Sequence, residues 1–397
     1  MTVSKLISII SILLLASCID RINFDINLPY DLPIAIDGRI TNLPGPYQVS
    51  VSRSFDTQSV ESLRIPVSAK HINLMDELGN NEELTEVAAG LYETSATGMQ
   101  GRIGGVYKIR IELFDGRIYE SLPDTILTPG RVDTLYHDFN SKPDEAGEQK
   151  YGFDLKVNAV GNASSETRYM WTMTGTFKAI THPELFTPGI PPGCYPIPGE
   201  FGKCNFIPLC TGFRNTAPRN FTPNYPFDFE RVGPCECCTC WYQLFSSAPV
   251  LGDNLFSTKG NYSALSIYRI PLNEWIFMFK IHVEVTQSTL TSNSFRFFKS
   301  IADQKNATGS LFQPITGKIP NTFVQLSGTV APINGIFYAA GVSTKSKYVT
   351  PDDVPKPVLV PQVDFAPRDL GRPGQGWISC QELFPNATTT KPDFWQD

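Results

Sequence analysis

Between residues 107 and 113 apolar and polar side chains alternate without a break, with Tyr107, Ile109, Ile111 and Leu113 set against Lys108, Arg110 and Glu112. A period of two puts one set on a buried face and the other in water, so the segment reads as a half-covered strand. Asp115-Gly116 follows at once and leads into Arg117-Ile118-Tyr119, the composition of a tight hairpin in which glycine supplies a positive φ. The same alternation recurs at 47–53, where Val49 and Val51 alternate with Ser50 and Ser52, and at 67–75. Residues 33–40 are a further strand candidate, and Asn42-Leu43-Pro44-Gly45-Pro46 behind them is turn chemistry. About seven short strands within about a hundred residues predict an immunoglobulin-like β-sandwich, here over residues 31–128.

The segment 122–135 holds Pro123 and Pro129-Gly130, where strand pairing should lapse and a domain boundary is expected. A second β-rich domain is expected over 133–350, since 397 residues are enough for two cores. In it Phe153, Leu155 and Val157 alternate with Asp154, Lys156 and Asn158, and Tyr169, Trp171 and Met173 with Met170, Thr172 and Thr174. Residues 267–270 and 275–285 read as later strands, the second ending in Ile281, Val283 and Val285 against His282 and Glu284. From 289 to 309 the period changes: Phe295, Phe298 and Ile301-Ala302 fall at three- and four-residue spacing, with Thr291 or Ser292 to cap and Gly309 to stop. That predicts one helix. A Pro- and Gly-rich insert at 182–240 has too few apolar positions for a core of its own. The tail 351–397, with eight prolines, should run extended against the rest. Charged residues at 18% and 62 Gly plus Pro fit short strands joined by turns better than a helical bundle, so the fold class is mainly β.

At the start of the chain Leu15-Ala16-Ser17-Cys18 stands behind Lys5 and an apolar run of eleven residues, 6–16, too short to span a bilayer. The pattern resembles a bacterial lipobox. Residues 1–17 are therefore expected to be a lipoprotein signal peptide, Cys18 the lipidated first residue of the mature chain, and 18–30 a tether between lipid and domain. Ile19 is no inner-membrane retention signal, which points to an outer-membrane location with the leaflet left open. The mature part has 32 basic and 39 acidic residues, a formal charge of −7, and nucleic acid is not an expected partner.

Eight further cysteines remain: Cys194, Cys204, Cys210, Cys235, Cys237, Cys238, Cys240 and Cys380. Thiolates bind zinc and iron–sulfur clusters, but Cys-x-Cys-Cys-x-Cys lacks the paired two-residue gaps of common zinc sites and has no histidine nearby. An exported chain meets oxidants, so disulfides are the expected state and no metal or cofactor is expected. Neighbours one or two apart are badly placed to bridge one another, and the four clustered cysteines are expected to reach outward to Cys194, Cys204, Cys210 and Cys380, in a connectivity left open. No G-x-S-x-G, H-E-x-x-H, P-loop or Rossmann fingerprint is present. The histidines His71, His137, His182 and His282 are scattered, with His282 on the wet face of its strand, and Asp352-Asp353 reads as a solvated pair. The expectation is a protein that is not an enzyme.

Several segments occur in a characteristic order: Gly45-Pro46-Tyr47-x-Val49-x-Val51-Ser52-Arg53-Ser54, Cys240-Trp241, Phe295-x-Phe297-Phe298, Thr308-Gly309-Ser310-Leu311-Phe312-x-Pro314, Gly335-Ile336-Phe337-Tyr338-Ala339-Ala340-Gly341-Val342-Ser343 and Lys391-Pro392-Asp393-Phe394-Trp395. Together they resemble domain-of-unknown-function family 4249, outer-membrane lipoproteins of Bacteroidota, over nearly the whole mature chain. The resemblance implies a place beside TonB-dependent receptors, hence a binding or accessory module working with a TonB-dependent transporter. The alternatives are a structural envelope component without a ligand, or a hydrolase with an unrecognised site. The family implies no catalytic residues. Similar chains have a Cys-x-x-Cys before the terminal Pro-x-Phe-Trp, whereas Cys380-Gln-Glu-Leu383 lacks the second cysteine, which favours a partner for Cys380 in the cluster. Asp124-Thr125-Ile126 and Asp133-Thr134-Leu135 resemble the O-glycan acceptor triplets of such bacteria, making Thr125 and Thr134 candidate glycosylation sites if they are exposed; the alternative is that they are turn residues.

Overall fold

Among the described residues of the first part of the chain there are ten short strands: β1 (Ile34–Thr41), β2 (Gln48–Arg53), β3 (Ile65–Pro66), β4 (Ala69–Asp76), β5 (Asn81–Glu83), β6 (Thr85–Ala88), β7 (Leu91–Glu93), β8 (Val106–Leu113), β9 (Ile118–Ser121) and β10 (Asp124–Thr125). The structure, a computed structural model, describes residues 33–53, 65–144, 146–161, 168–182, 211–216, 228–253, 260–307, 319–365 and 379–397. The expected signal peptide (1–17), Cys18, the expected tether (18–30), Cys194, Cys204, Cys210 and the 308–314 segment lie outside them. The predicted hairpin is present: β8 and β9 pair antiparallel with Ile111 opposite Tyr119, and Gly116 turns at φ +85°. Tyr107, Ile109, Ile111 and Leu113 are all buried.

The later elements are β11 (Arg131–Pro143), β12 (Gln149–Val160), β13 (Arg168–Ile180), β14 (Phe213–Thr216), β15 (Asp228–Arg231), β16 (Thr239–Phe245), β17 (Val250–Asp253), β18 (Asn261–Pro271), β19 (Ile281–Leu290), helix α1 (Ser292–Ala307), β20 (Phe323–Ser327), β21 (Ile333–Val349) and the single-turn helix α2 (Cys380–Leu383). The fold is mainly β. Residues 275–279, expected in a strand, instead form a 3₁₀ turn over Ile276–Met278. Asn273 makes it, its Oδ1 accepting from the backbone N–H of Trp275 at 2.9 Å and of Ile276 at 3.2 Å, and the turn drives Ile276 and Phe277 into the core, which is why both looked apolar in sequence.

A ten-stranded sheet in the order β16-β13-β19-β21-β1-β2-β7-β6, with β17 beside β13 and β3 beside β2, runs through both halves of the chain. A six-stranded sheet, β20-β9-β8-β4-β5 with β10 beside β8, closes over its N-terminal end. Ile36, Val49 and Val51 from the first meet Ile72, Ile109 and Tyr119 from the second in one core. Residues 31–128 do not complete this sandwich. Phe323, Phe337 and Ala339 from the far end of the chain belong to its core, because β20 pairs with β9 and β21 pairs in parallel with β1. At the other end the three-stranded sheet β11-β12-β18 packs on β13 and β19, with Phe153, Leu155 and Val157 against Trp171, Met173, Val283 and Val285.

The two sandwiches share β21. Its residues 333–340 pair with β1 and its residues 341–349 with β19. Gly335 permits the first pairing: it sits at φ +128°, and a Cβ there would collide with the Ile36 carbonyl oxygen. Where β1 ends, the backbone of Val342 would lose a neighbour on that side. The Asn42 side chain takes its place, accepting from Val342 N–H at 2.6 Å and donating to Val342 O at 3.3 Å. One face of β21 gives Phe337 and Ala339 to the N-terminal core, while Ile336, Tyr338, Ala340 and Val342 on the other face lie under Phe295 and Phe297 of α1. The helix start is fixed by buried Asp124, which accepts from Thr291 Oγ1 and Ser294 Oγ at 2.6 Å each and from the N–H of Ala339 at 3.0 Å.

The proline-rich tail lies against the second sandwich, as expected of a segment without its own core. Cys380 is bridged to Cys240 with Cα atoms 5.9 Å apart. Thr388 and Trp241 exchange backbone hydrogen bonds at 2.8 and 3.1 Å, and Trp395 is buried beside Trp241 and Tyr348.

Candidate functional site

Of the clustered cysteines, Cys240 reaches outward to Cys380 as expected, but Cys235 and Cys238 bridge each other across a separation of three, Cα atoms 5.5 Å apart. One residue more than the excluded spacings lets the chain bend back far enough for bridge geometry. Cys237 is disulfide-bonded as well. Among the described residues no group of three or more His, Cys, Asp or Glu side chains is placed to hold a metal ion.

The histidine and threonine sites depart from their sequence readings. His282 is on the outer face of β19 but only 8% exposed, because the tail folds over it and Phe394 stacks on its ring at 4.4 Å. Burial pushes its pKa down. His137 sits with Nε2 3.5 Å from Asp353, which also caps the turn after β21 through Thr350, so Asp353 is not simply solvated. Thr125 is not in an open loop: it pairs with Val106 in β10, half-buried, between buried Asp124 and Ile126. Thr134 is exposed, next to an irregularity between β11 and β12.

The feature that sequence reasoning missed lies on the shared sheet, beside α1. Glu284 and Thr286 of β19, Thr344 of β21, Asp37 and Arg39 of β1 and the β1–β2 turn line a cleft of ≈ 450 Å³. Residues opposite one another in an antiparallel pair point to the same face. Two cross-strand rows result: Thr174, Glu284 and Ser346 in one, Thr172, Thr286 and Thr344 in the next. The turn that walls the cleft is rigid. Tyr47 donates its hydroxyl to Leu43 O at 2.6 Å and accepts from Gly101 N–H at 2.9 Å, and Pro44 and Pro46 line the cleft beside it.

Three charged side chains line the cleft, Asp37 and Arg39 exposed and Glu284 half-buried. Burial is the one influence on its carboxyl and pushes it above the ordinary carboxylate range, and none of the described residues pairs with it. Tyr338, which also lines the cleft, is buried against Phe298 at 5.2 Å. Burial pushes its hydroxyl up, while Arg39, hydrogen-bonded to it, pulls the other way. The lining contains no histidine or cysteine. In sequence Glu284 stood out only as the polar alternate of a strand; its hydroxyl neighbours come from β13 and β21, more than fifty residues away on either side.

Two fused sandwiches with a polar cleft on the sheet they share define a mainly β protein whose open site is built from strand faces and one rigid turn. The chain belongs to the family described as Domain of unknown function (DUF4249), whose model matches residues 21–346. No curated protein and no solved structure matches it.

Proposed function

We propose that this protein is an outer-membrane lipoprotein, anchored through Cys18, that acts as a binding module beside a TonB-dependent transporter and holds its ligand in the Glu284 cleft. The observation that bears most on a binding role is Glu284, half-buried on an open polar face and without a partner among the described residues. An ionisable group left without a partner costs stability and marks a site where a ligand can supply the missing contacts. Its location is supported by the short apolar run ending at Ala16-Ser17-Cys18.

Gentle detergent extraction from a native host, followed by affinity purification of the full chain, tests the reading. A stoichiometric outer-membrane barrel that is absent when Cys18→Ser is purified in parallel is the expected result. A chain that runs alone from the outer membrane is instead a structural envelope component, and one that stays soluble without Cys18 processing was never anchored.

A further inference from the structure

Pro33, through which the chain leads back to Cys18, stands at one end of the N-terminal sandwich. The next residue, Ile34, donates its N–H to the Pro332 carbonyl at 3.2 Å, which puts this end beside the β20–β21 turn, residues 328–332. Gly328 of that turn lies against Arg117 of the β8–β9 hairpin. Ile34 and Ile65 pair with Arg53 from either side. Arg117 and, more weakly, Arg53 hold the Asp115 carboxyl below its ordinary range, so Arg53 is close to the hairpin too. Three segments therefore meet at one end, and each presents a large apolar side chain to water: Val330 is 90% exposed, Phe114 73% and Ile65 45%.

The two turns carry their own hydrogen-bond partners. Gln325 Nε2 donates to the carbonyls of Ser327 at 3.1 Å and Thr329 at 2.8 Å, and its Oε1 accepts from Ala331 N–H at 3.2 Å, so the backbone on either side of Val330 is satisfied from within. Around Phe114, Leu113 N–H donates to Arg117 O at 2.9 Å and Gly116 N–H to Leu113 O at 3.1 Å. The one acid of that turn, Asp115, accepts from Arg117 at 2.6 and 2.9 Å. No charged residue occurs between Lys318 and Lys345. Water would satisfy the same groups in a turn that stays exposed, whereas a turn that enters an apolar phase must bring its partners with it.

We infer that this end of the N-terminal sandwich docks on the lipid surface, with Phe114 and Val330 entering the boundary between headgroups and acyl chains and Ile65 at its edge. The inference rests on the reading of Cys18 as the anchor. Fifteen residues join Cys18 to Pro33, about 50 Å at full stretch. An anchored chain keeps this end near the bilayer and raises the effective concentration of lipid against it, so a few apolar side chains are enough to hold the contact. The rim of the Glu284 cleft, at Leu43 and Pro44, follows the other end of β1, about 25 Å further along the strand. Docking would hold the cleft clear of the bilayer.

The test replaces Phe114, Val330 or Leu78 with p-benzoylphenylalanine, which on irradiation inserts into a neighbouring C–H bond. Leu78 is the control: it is 71% exposed, much as Phe114 is, but follows Asp76 at the opposite end of β4. Each full chain is purified in detergent from whole cells, reconstituted in vesicles of phosphatidylethanolamine and phosphatidylglycerol, and irradiated. Phospholipid adducts, read by mass, are expected at 114 and 330 at no less than ten times the yield at 78. Equal yields at all three positions, no lipid adduct at 114 and 330, or a cross-link to a second copy of the chain in place of lipid overturns the inference. The acyl mass at Cys18 is read separately, so an acylated chain without adducts loses only the docking end, and an unacylated chain without adducts loses the anchor as well.

Discussion

Ser294 Oγ donates to Asp124 at 2.6 Å across a sequence separation of 170, and the same carboxylate oxygen accepts from the N–H of Ala339 at 3.0 Å. One buried side chain thus ties the end of the N-terminal sandwich to the start of α1 and to the strand both sandwiches share. Asp124→Ala would leave two hydroxyls and an amide without their acceptor, a loss of about 3–5 kcal/mol. Asp124→Asn, which keeps the shape, is expected to cost about half that. Urea unfolding monitored by tryptophan fluorescence gives both numbers, and a change under about 1 kcal/mol in the alanine variant would contradict the role assigned here.

Acid should destabilise the second sandwich through Asp154. Burial alone would raise its carboxyl, but hydrogen bonds from Lys142, Asn140 and Arg269 outweigh burial and hold it down at about 2. A carboxylate depressed in the folded state contributes stability above its unfolded pKa of about 4 and loses it as pH falls toward 2, here about 2 kcal/mol. The melting temperature is expected to fall across that window, and Asp154→Asn should flatten the fall.

The tail should come loose when its bridge is cut. Cys240–Cys380 closes a loop of 140 residues, a constraint worth about 2–4 kcal/mol. In Cys380→Ser, hydrogen exchange at 379–397 is expected to rise at least tenfold while 34–41 stays protected. Equal protection in both forms would assign the docking to Trp395 and Thr388 instead.

The last turn of the tail should also respond to pH. His282 is held neutral by burial beneath Phe394, with Lys178 and Lys280 lying over neighbouring aromatic rings. Its depressed pKa means that docking is at full strength above the unfolded value of about 6.5 and weakens as pH falls below it. The protection factors at 391–397, exchange rates taken relative to the unstructured chain at the same pH, are expected to fall between pH 7.5 and 5 in the wild type and to stay level in His282→Phe.

What was legible in the sequence was local. Alternation at Tyr107–Leu113, Tyr169–Met173 and Ile281–Val285 gave true strands, because the period of two is a property of a few consecutive residues. The helix start at Thr291–Ser292 was readable for the same reason. The partner of a strand is not written beside it: nothing near Ile34 announces Ile333. His282 read as wet because its cover, Phe394, arrives from more than a hundred residues downstream, and the Glu284 cleft was invisible because no single strand contains it. Of the two Asp-Thr triplets, Asp124 turned out to be structural, which leaves Thr134 as the exposed threonine.

The shared strand also sets a schedule. Parallel pairing of Ile34 with Ile333 joins the first described strand to the last, so the N-terminal sheet has an open edge until about 300 residues of chain have been made. Contacts this distant fold slowly, and the waiting edge is a template for wrong partners. A ribosome or an export channel that delivers this chain from its N-terminus therefore hands over an unfinished sandwich, and the time during which it must be kept from aggregating is the time taken to deliver β21.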